Sequence, residues 1–120
     1  MDFFESAWEG NFCKSAFHID GYGKQHKSKT KRADIQNLHD GKYHIWGAHW
    51  TKDFVHIYYD NKRIISYTDP IWISHAKEYL WLSVGASFGF KPMATNFTAQ
   101  KTGELTNAHV DYIRVWKAKE

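Results

Sequence analysis

The chain has 120 residues and a mass of 14.1 kDa, and 42% of its residues are hydrophobic and 18% aromatic. This length favours a single domain over 1–120, and the composition excludes an intrinsically disordered chain. No apolar run reaches the ~20 residues of a membrane-spanning helix, and the first residues lack a signal-peptide pattern, so no membrane partner is predicted.

The formal net charge of +3 arises from one segment of the chain. The basic residues Lys24, Lys27, Lys29, Lys31 and Arg32 fall in a stretch that contains no acid. We interpret this stretch as a solvated loop, because nucleic-acid-binding surfaces usually extend over a whole face. No nucleic-acid partner is predicted, and contact with an anionic polysaccharide stays open as the second interpretation.

β-branched and aromatic residues alternate with polar ones along most of the chain, which predicts an all-β fold. In chain order we predict strands near 1–8, 12–20, 42–50, 54–60, 63–68, 79–86 and 109–117, with long loops over 21–40 and 87–107. A turn at "NK" between "VHIYYD" and "RIISYT" predicts a hairpin, since Asn tolerates positive φ. Pro70 should break the strand in "YTDPIWI", which should restart after it. Short strands joined by turns and longer loops indicate a β-sandwich or jelly roll.

The first predicted strand, "MDFFES", places Asp2 and Glu5 in an otherwise apolar run. In a regular strand the side chains alternate, so two residues three apart point to opposite faces. A β-bulge at Phe3 or Phe4 would turn both acids to the same side, and bulges are enriched beside active sites. Without a bulge, the two acids are only the solvated residues of a frayed first strand.

Five segments, in chain order, match one known pattern. "MDFFES" matches the end of an E-x-D-x-x-E signature, and "SAFHIDGYGKQHKS" the strand and loop that follow it. "GKYHIWGAHWTKDFVHIYYDNKRI", "YLWLSVGAS" and "VDYIRVWK" match three later segments, so the likeness covers nearly the whole chain. Together they resemble glycoside hydrolase family 16, which includes laminarinases, agarases and carrageenases. The resemblance implies a concanavalin-like β-jelly roll and a retaining endo-glycosidase that cleaves internal β-linkages of a polysaccharide, either a β-1,3-glucan or a β-galactan.

The resemblance also implies roles for the two acids. Glu5 corresponds to the acid/base of the signature and Asp2 to its assisting carboxylate, whereas the nucleophile's position falls immediately before Met1. We therefore expect a C-terminal portion of a catalytic domain, with an incomplete sandwich and with little or no activity as an isolated chain. The parent protein is expected to be extracellular or periplasmic.

Sugar rings have apolar faces, so the sites that bind them combine flat aromatic side chains with polar groups. Four residues are the substrate-binding candidates: Trp8, His18, Ser83 and Trp46. His18 falls where members of the family carry a cleft-lining aromatic residue or His, and Ser83 where they often carry Asn. Trp46 is interpreted first as a core residue, because large aromatics in central strands mostly pack inside the protein.

No cofactor is predicted. The chain has eight His, but their spacing does not match a transition-metal site. Some relatives in the family hold a structural calcium ion, with one ligand at an Asp that resembles Asp111 and the other ligands upstream of this chain.

Two other hypotheses stay open beside the enzyme. The chain is alternatively a non-catalytic carbohydrate-binding β-sandwich module. The third hypothesis is that the chain is the product of a truncated reading frame. Such a chain cannot bury its apolar faces and therefore aggregates. Coding sequence that continues upstream and supplies Glu directly before Met1 favours the enzyme, whereas a stop codon there favours the other two.

Overall fold

The structure is a computed structural model that describes residues 1–6, 10–83 and 109–118. The chain forms two compact units, Met1–Lys77 and Glu78–Glu120. The described residues are all-β, with two three-stranded antiparallel sheets that both belong to the first unit. None of the described residues forms a helix with the length and apolar content to cross a membrane.

The first sheet has the order β1-β2-β3, with strands β1 (Asp2–Glu5), β2 (Phe12–Ile19) and β3 (Lys27–Asp34). The central strand β2 alternates between two faces. Its buried residues Cys13, Ser15 and Phe17 point to the protein core. The intervening residues of β2 therefore point to the other face of the sheet.

Strand β3 lies where the sequence predicted a loop, and this prediction was wrong. Its pairing with β2 is unbroken from Asp34, opposite Phe12, to Lys27, opposite Ile19. The strand escaped prediction because it is polar on both faces and mostly exposed, whereas sequence patterns detect strands by their apolar alternation. Lysines on an edge strand discourage pairing with other chains. The basic segment is therefore largely a solvated edge strand.

The second sheet has the order β4-β5-β6, with strands β4 (Trp46–Trp50), β5 (Val55–Tyr59) and β6 (Lys62–Tyr67). The predicted β5–β6 hairpin is confirmed, but its turn residues are Asp60 and Asn61, one position earlier than expected. Both have positive φ, 46° and 65°, as a two-residue turn of type I′ requires.

The two sheets share one hydrophobic core. The rings of Phe17 on β2 and Tyr67 on β6 stack with their centroids 4.0 Å apart, and the Tyr67 hydroxyl donates to the Ser15 carbonyl oxygen at 2.8 Å. Lys31 adds a second link, because its Nζ donates to the Ser66 carbonyl oxygen. The buried core residues are Cys13, Phe17, Ile35, Val55, Ile57, Tyr59, Ile65, Tyr67 and Ile73. Two small sheets packed on a common core are consistent with an incomplete β-sandwich.

The chain after β6 departs from the prediction. Pro70 interrupts the strand as expected. The predicted restart of the strand after it is wrong, because a short 3-10 helix, Pro70–Trp72, begins there and Asp69 caps it. In the second unit, 78–83 and 109–118 form no strand, so the strands predicted near 79–86 and 109–117 are wrong where they are described. A strand needs a neighbour for its backbone hydrogen bonds, and no strand pairing is found for 79–83 or 109–117 among the described residues. The remaining part of 79–86 and the predicted loop 87–107 lie outside the described residues.

The link between the sheets predicts the effect of a Tyr67→Phe substitution. The ring and its stacking on Phe17 would remain, but the Ser15 carbonyl oxygen would lose its donor. Tyr67 is only 2% exposed, so we expect the free energy of unfolding to fall by about 1–2 kcal/mol. Urea denaturation measures this change.

Tyr43→Phe is the matched control, because this tyrosine is 71% exposed. Its effect is expected to stay within about 0.5 kcal/mol. Equal effects of the two substitutions would show that the hydrogen bond between the sheets contributes nothing.

Candidate active site on the first strand

The pairing of β1 with β2 contains the bulge that the sequence predicted. Asp2 lies opposite Ala16 and Glu5 opposite Lys14. The chain thus advances three residues on β1 and two on β2, so β1 holds one extra residue. Because Ala16 and Lys14 are two apart on one face of β2, the two acids share that face.

The two phenylalanines between the acids contact other aromatic rings instead. The ring of Phe3 contacts Phe17 edge-on, with centroids 6.2 Å apart. The ring of Phe4 stacks on Trp46 at 4.3 Å. The bulge therefore separates the four residues of β1 into an apolar pair and an acidic pair. We call the face that carries Asp2, Glu5, Lys14, Ala16 and His18 the acid face.

Glu5 holds its proton more tightly than an ordinary glutamic acid. Partial burial raises the pKa of Glu5, and the nearby negative charge of Asp2 raises it further. The electrostatic interactions with His18 and Lys14 act in the opposite direction and are each weaker than burial. The predicted rise in the pKa of Glu5 is confirmed. Within this chain, the negative charge that contributes to this rise is that of Asp2.

Asp2 is held by two contacts to β2. Its Oδ2 lies 3.2 Å from Nε2 of His18, and its backbone carbonyl oxygen accepts a hydrogen bond from Ser15 Oγ at 2.9 Å. His18 follows Ala16 by two residues on β2, so it extends the acid face beyond Asp2. The sequence-predicted residues Asp2, Glu5 and His18 thus come together.

Two further side chains adjoin this group and were not predicted. Nδ1 of His18 lies 2.9 Å from Nε2 of His26, and the ring of Tyr22 lies beside both imidazoles. Both residues belong to the turn between β2 and β3. A prediction of β3 from the sequence would have placed this turn next to His18. The polar composition of β3 prevented that prediction.

Of the other substrate-binding candidates, Trp46 is described in the first unit and does not belong to the acid face. Trp46 stacks on Phe4 and contacts Tyr59 edge-on at 4.7 Å, which agrees with its interpretation as a core residue. Ser83 is exposed and belongs to the second unit. Trp8 lies outside the described residues.

The described residues contain no group of three or more His, Cys, Asp or Glu side chains placed to hold a metal ion. Asp111, the calcium-ligand candidate, is exposed in the second unit. His44 instead has a structural role, because its two ring nitrogens lie 2.8 Å from Asp40 Oδ1 and 2.8 Å from Asp60 Oδ2. These hydrogen bonds raise the pKa of His44 and connect the chain before β4 to the β5–β6 turn.

Comparisons of the chain with protein-family models, with curated proteins and with solved structures gave no significant match. Function is therefore inferred from the acid face itself.

The raised pKa of Glu5 predicts a pH-dependent difference between the protein and its Glu5→Gln variant. The folded state binds this proton more tightly than the unfolded chain, where the pKa is near the ordinary value of 4.5. The stability of the wild-type protein relative to Glu5→Gln should therefore fall as pH rises from below that value through the folded pKa, and then level off. Urea denaturation of both proteins between about pH 3 and pH 8 measures the difference.

The measurements at the lowest pH serve as the internal reference, since Glu5 is then uncharged in both the folded and the unfolded state. A wild-type protein that gains stability relative to Glu5→Gln as pH rises would mean that folding favours the charged carboxylate, contrary to this account.

Proposed function

We propose that the acid face is the acid/base side of a retaining glycosidase site of the family 16 type, acting on internal β-linkages of a β-1,3-glucan or a β-galactan. The observation that supports this most strongly is the bulge between Asp2 and Glu5. The E-x-D-x-x-E signature has two residues between its last two acids, and such a spacing gives acids on one face only when the strand contains an extra residue.

Retaining hydrolysis uses two carboxyl groups roughly 5–5.5 Å apart, one nucleophile and one acid/base. In this proposal Glu5 first donates its proton to the oxygen of the departing sugar. It then takes a proton from the water that attacks the anomeric carbon. A raised pKa suits this role, because the acid must still carry its proton at the working pH.

The nucleophile in this scheme is the Glu that the resemblance assigns to the position before Met1. The chain itself would then supply the proton transfer but not the attacking group. Asp2 is the residue expected to share a proton with that nucleophile in a hydrogen bond between the two carboxyl groups. His18 would act as a positioning residue, since its contact with Asp2 orients the carboxylate.

The remaining parts of the proposal follow from the resemblance. The two sheets would be part of a concanavalin-like jelly roll, and the parent protein would act outside the cell or in the periplasm. The all-β fold and the shared core of the two sheets agree with such an architecture.

A transfer reaction that needs no nucleophile tests the role of Glu5. In an α-laminaribiosyl fluoride, the hydroxyl of an aryl β-glucoside acceptor can attack the anomeric carbon directly, with fluoride as the leaving group. Glu5 would take the proton of that hydroxyl, and a β-linkage would form. We expect product with the wild-type chain and a loss of about 10²–10⁴-fold with Glu5→Gln, measured by chromatography. The α-fluoride of a β-galactan disaccharide tests the second substrate class.

Asp53→Asn is the matched control, because Asp53 is an exposed acid on the β4–β5 turn. It should leave the transfer rate unchanged. Product formation that is equally fast with Glu5→Gln, or its absence with both donors, would contradict the proposed proton transfer.

A further inference from the structure

The turn between β2 and β3 presents three rings beside the acid face. His18 and His26 lie nearly coplanar, with centroids 5.1 Å apart and an angle of 11° between the planes. The ring of Tyr22 is tilted against both, with centroids 5.7 Å from His18 and 5.1 Å from His26. We call His18, Tyr22 and His26 the ring cluster.

The backbone of the turn holds Tyr22 in this place. Asp20 and Gly21 have positive φ values of 62° and 66°, which turn the chain sharply after β2. The backbone N–H of His26 donates to the Gly23 carbonyl oxygen at 3.1 Å, and Lys27 opposite Ile19 begins the pairing of β3. The ring cluster therefore belongs to a defined turn and not to an irregular loop.

The hydrogen bonds within the ring cluster take one direction when both imidazoles are neutral and Asp2 is ionised. When Asp2 is a carboxylate it can only accept, so Nε2 of His18 donates to it. A neutral His18 then accepts at Nδ1 from Nε2–H of His26. This order leaves Nδ1 of His26 with a lone pair that can accept a hydrogen bond from a hydroxyl group.

Tyr22 provides the apolar part of a binding surface. It is 84% exposed although it contacts two imidazole rings, so most of its ring faces solvent. An exposed aromatic ring next to polar acceptors is the combination that binds sugars, whose rings have apolar C–H faces and hydroxyl edges.

We infer that the ring cluster is a sugar-binding subsite that extends the acid face toward the β2–β3 turn. Tyr22 stacks on one sugar unit of the polysaccharide, and His26 accepts a hydrogen bond from one of its hydroxyls. This inference rests on the proposed function, because it assigns the neighbouring sugar unit to the same polysaccharide that Glu5 acts on.

The charges around the ring cluster favour an uncharged sugar unit. The Asp2 carboxylate lies 3.2 Å from Nε2 of His18, so a sulfate group placed beside His18 would be repelled. Lys27, at the start of β3, lies 3.9 Å from the carboxylate of Asp20, which offsets its charge.

Calorimetric titration of the chain with laminarihexaose and with neutral agaro-oligosaccharides tests the subsite. We expect the Kd of at least one of them to rise roughly fivefold to tenfold in Tyr22→Ala, while Tyr22→Phe keeps the wild-type value. Tyr43→Ala removes a tyrosine of similar exposure in another loop of the same unit, 71% exposed, and should leave Kd unchanged. His26→Ala should weaken binding less than Tyr22→Ala, because it removes one hydrogen bond.

Absence of binding by the wild-type chain would overturn the subsite, as would equal Kd values for wild type and Tyr22→Ala, or preference for a sulfated oligosaccharide. The transfer reaction separates this result from the proposed function. Binding that depends on Tyr22 without any transfer by Glu5 would keep the subsite, as part of a binding module, and remove the enzyme. Transfer that depends on Glu5 but not on Tyr22 would keep the proposed enzyme and remove the subsite.

Discussion

The extra residue in β1 is the constraint on which the acid face depends. A regular strand would send Asp2 and Glu5 to opposite sides, so that one carboxylate would point at the core beside Phe17. Burying an unpaired carboxylate there would cost several kcal/mol. The bulge removes this conflict, because Phe3 packs against the core and Phe4, 37% exposed, stacks on Trp46, while both acids lie on the other face. The same local geometry therefore serves folding and the proposed chemistry.

The bulge is held in place by packing on both sides of β1. Phe3 contacts Phe17, which stacks on Tyr67 of the second sheet, and Phe4 stacks on Trp46 of β4. Hence the first strand is fixed against both sheets through its apolar pair. On the outer side, His18 holds Asp2, and His26 holds His18 in turn. The packing of Phe3 on Phe17 and of Phe4 on Trp46 thus determines where the two carboxylates lie.

The sequence predicted those parts of the structure in which apolar alternation or turn chemistry is strong. It identified the strands around Phe17 and Ile57, the hairpin at Asn61 and the break at Pro70. The bulge was predictable because only an extra residue reconciles two acids three apart with a common face.

Strand β3 was not predictable, since its pairing with β2 satisfies its backbone hydrogen bonds while its side chains stay in water. Its omission also concealed His26 and Tyr22, whose position depends on that pairing. The two later segments, 79–83 and 109–117, have strand-like sequences but take part in no sheet of the described residues, and a local pattern cannot supply a pairing strand.

The most direct test of a shared acid face is the electrostatic coupling between its two carboxylates. The pKa of Glu5 can be followed by carbon-13 NMR of its side-chain carboxyl in the wild-type chain and in Asp2→Asn. Because the charge of Asp2 raises the pKa of Glu5, the pKa is predicted to be lower in Asp2→Asn, while partial burial keeps it above the ordinary value of 4.5. An unchanged pKa in Asp2→Asn would mean that the two acids do not share a face and would contradict the account.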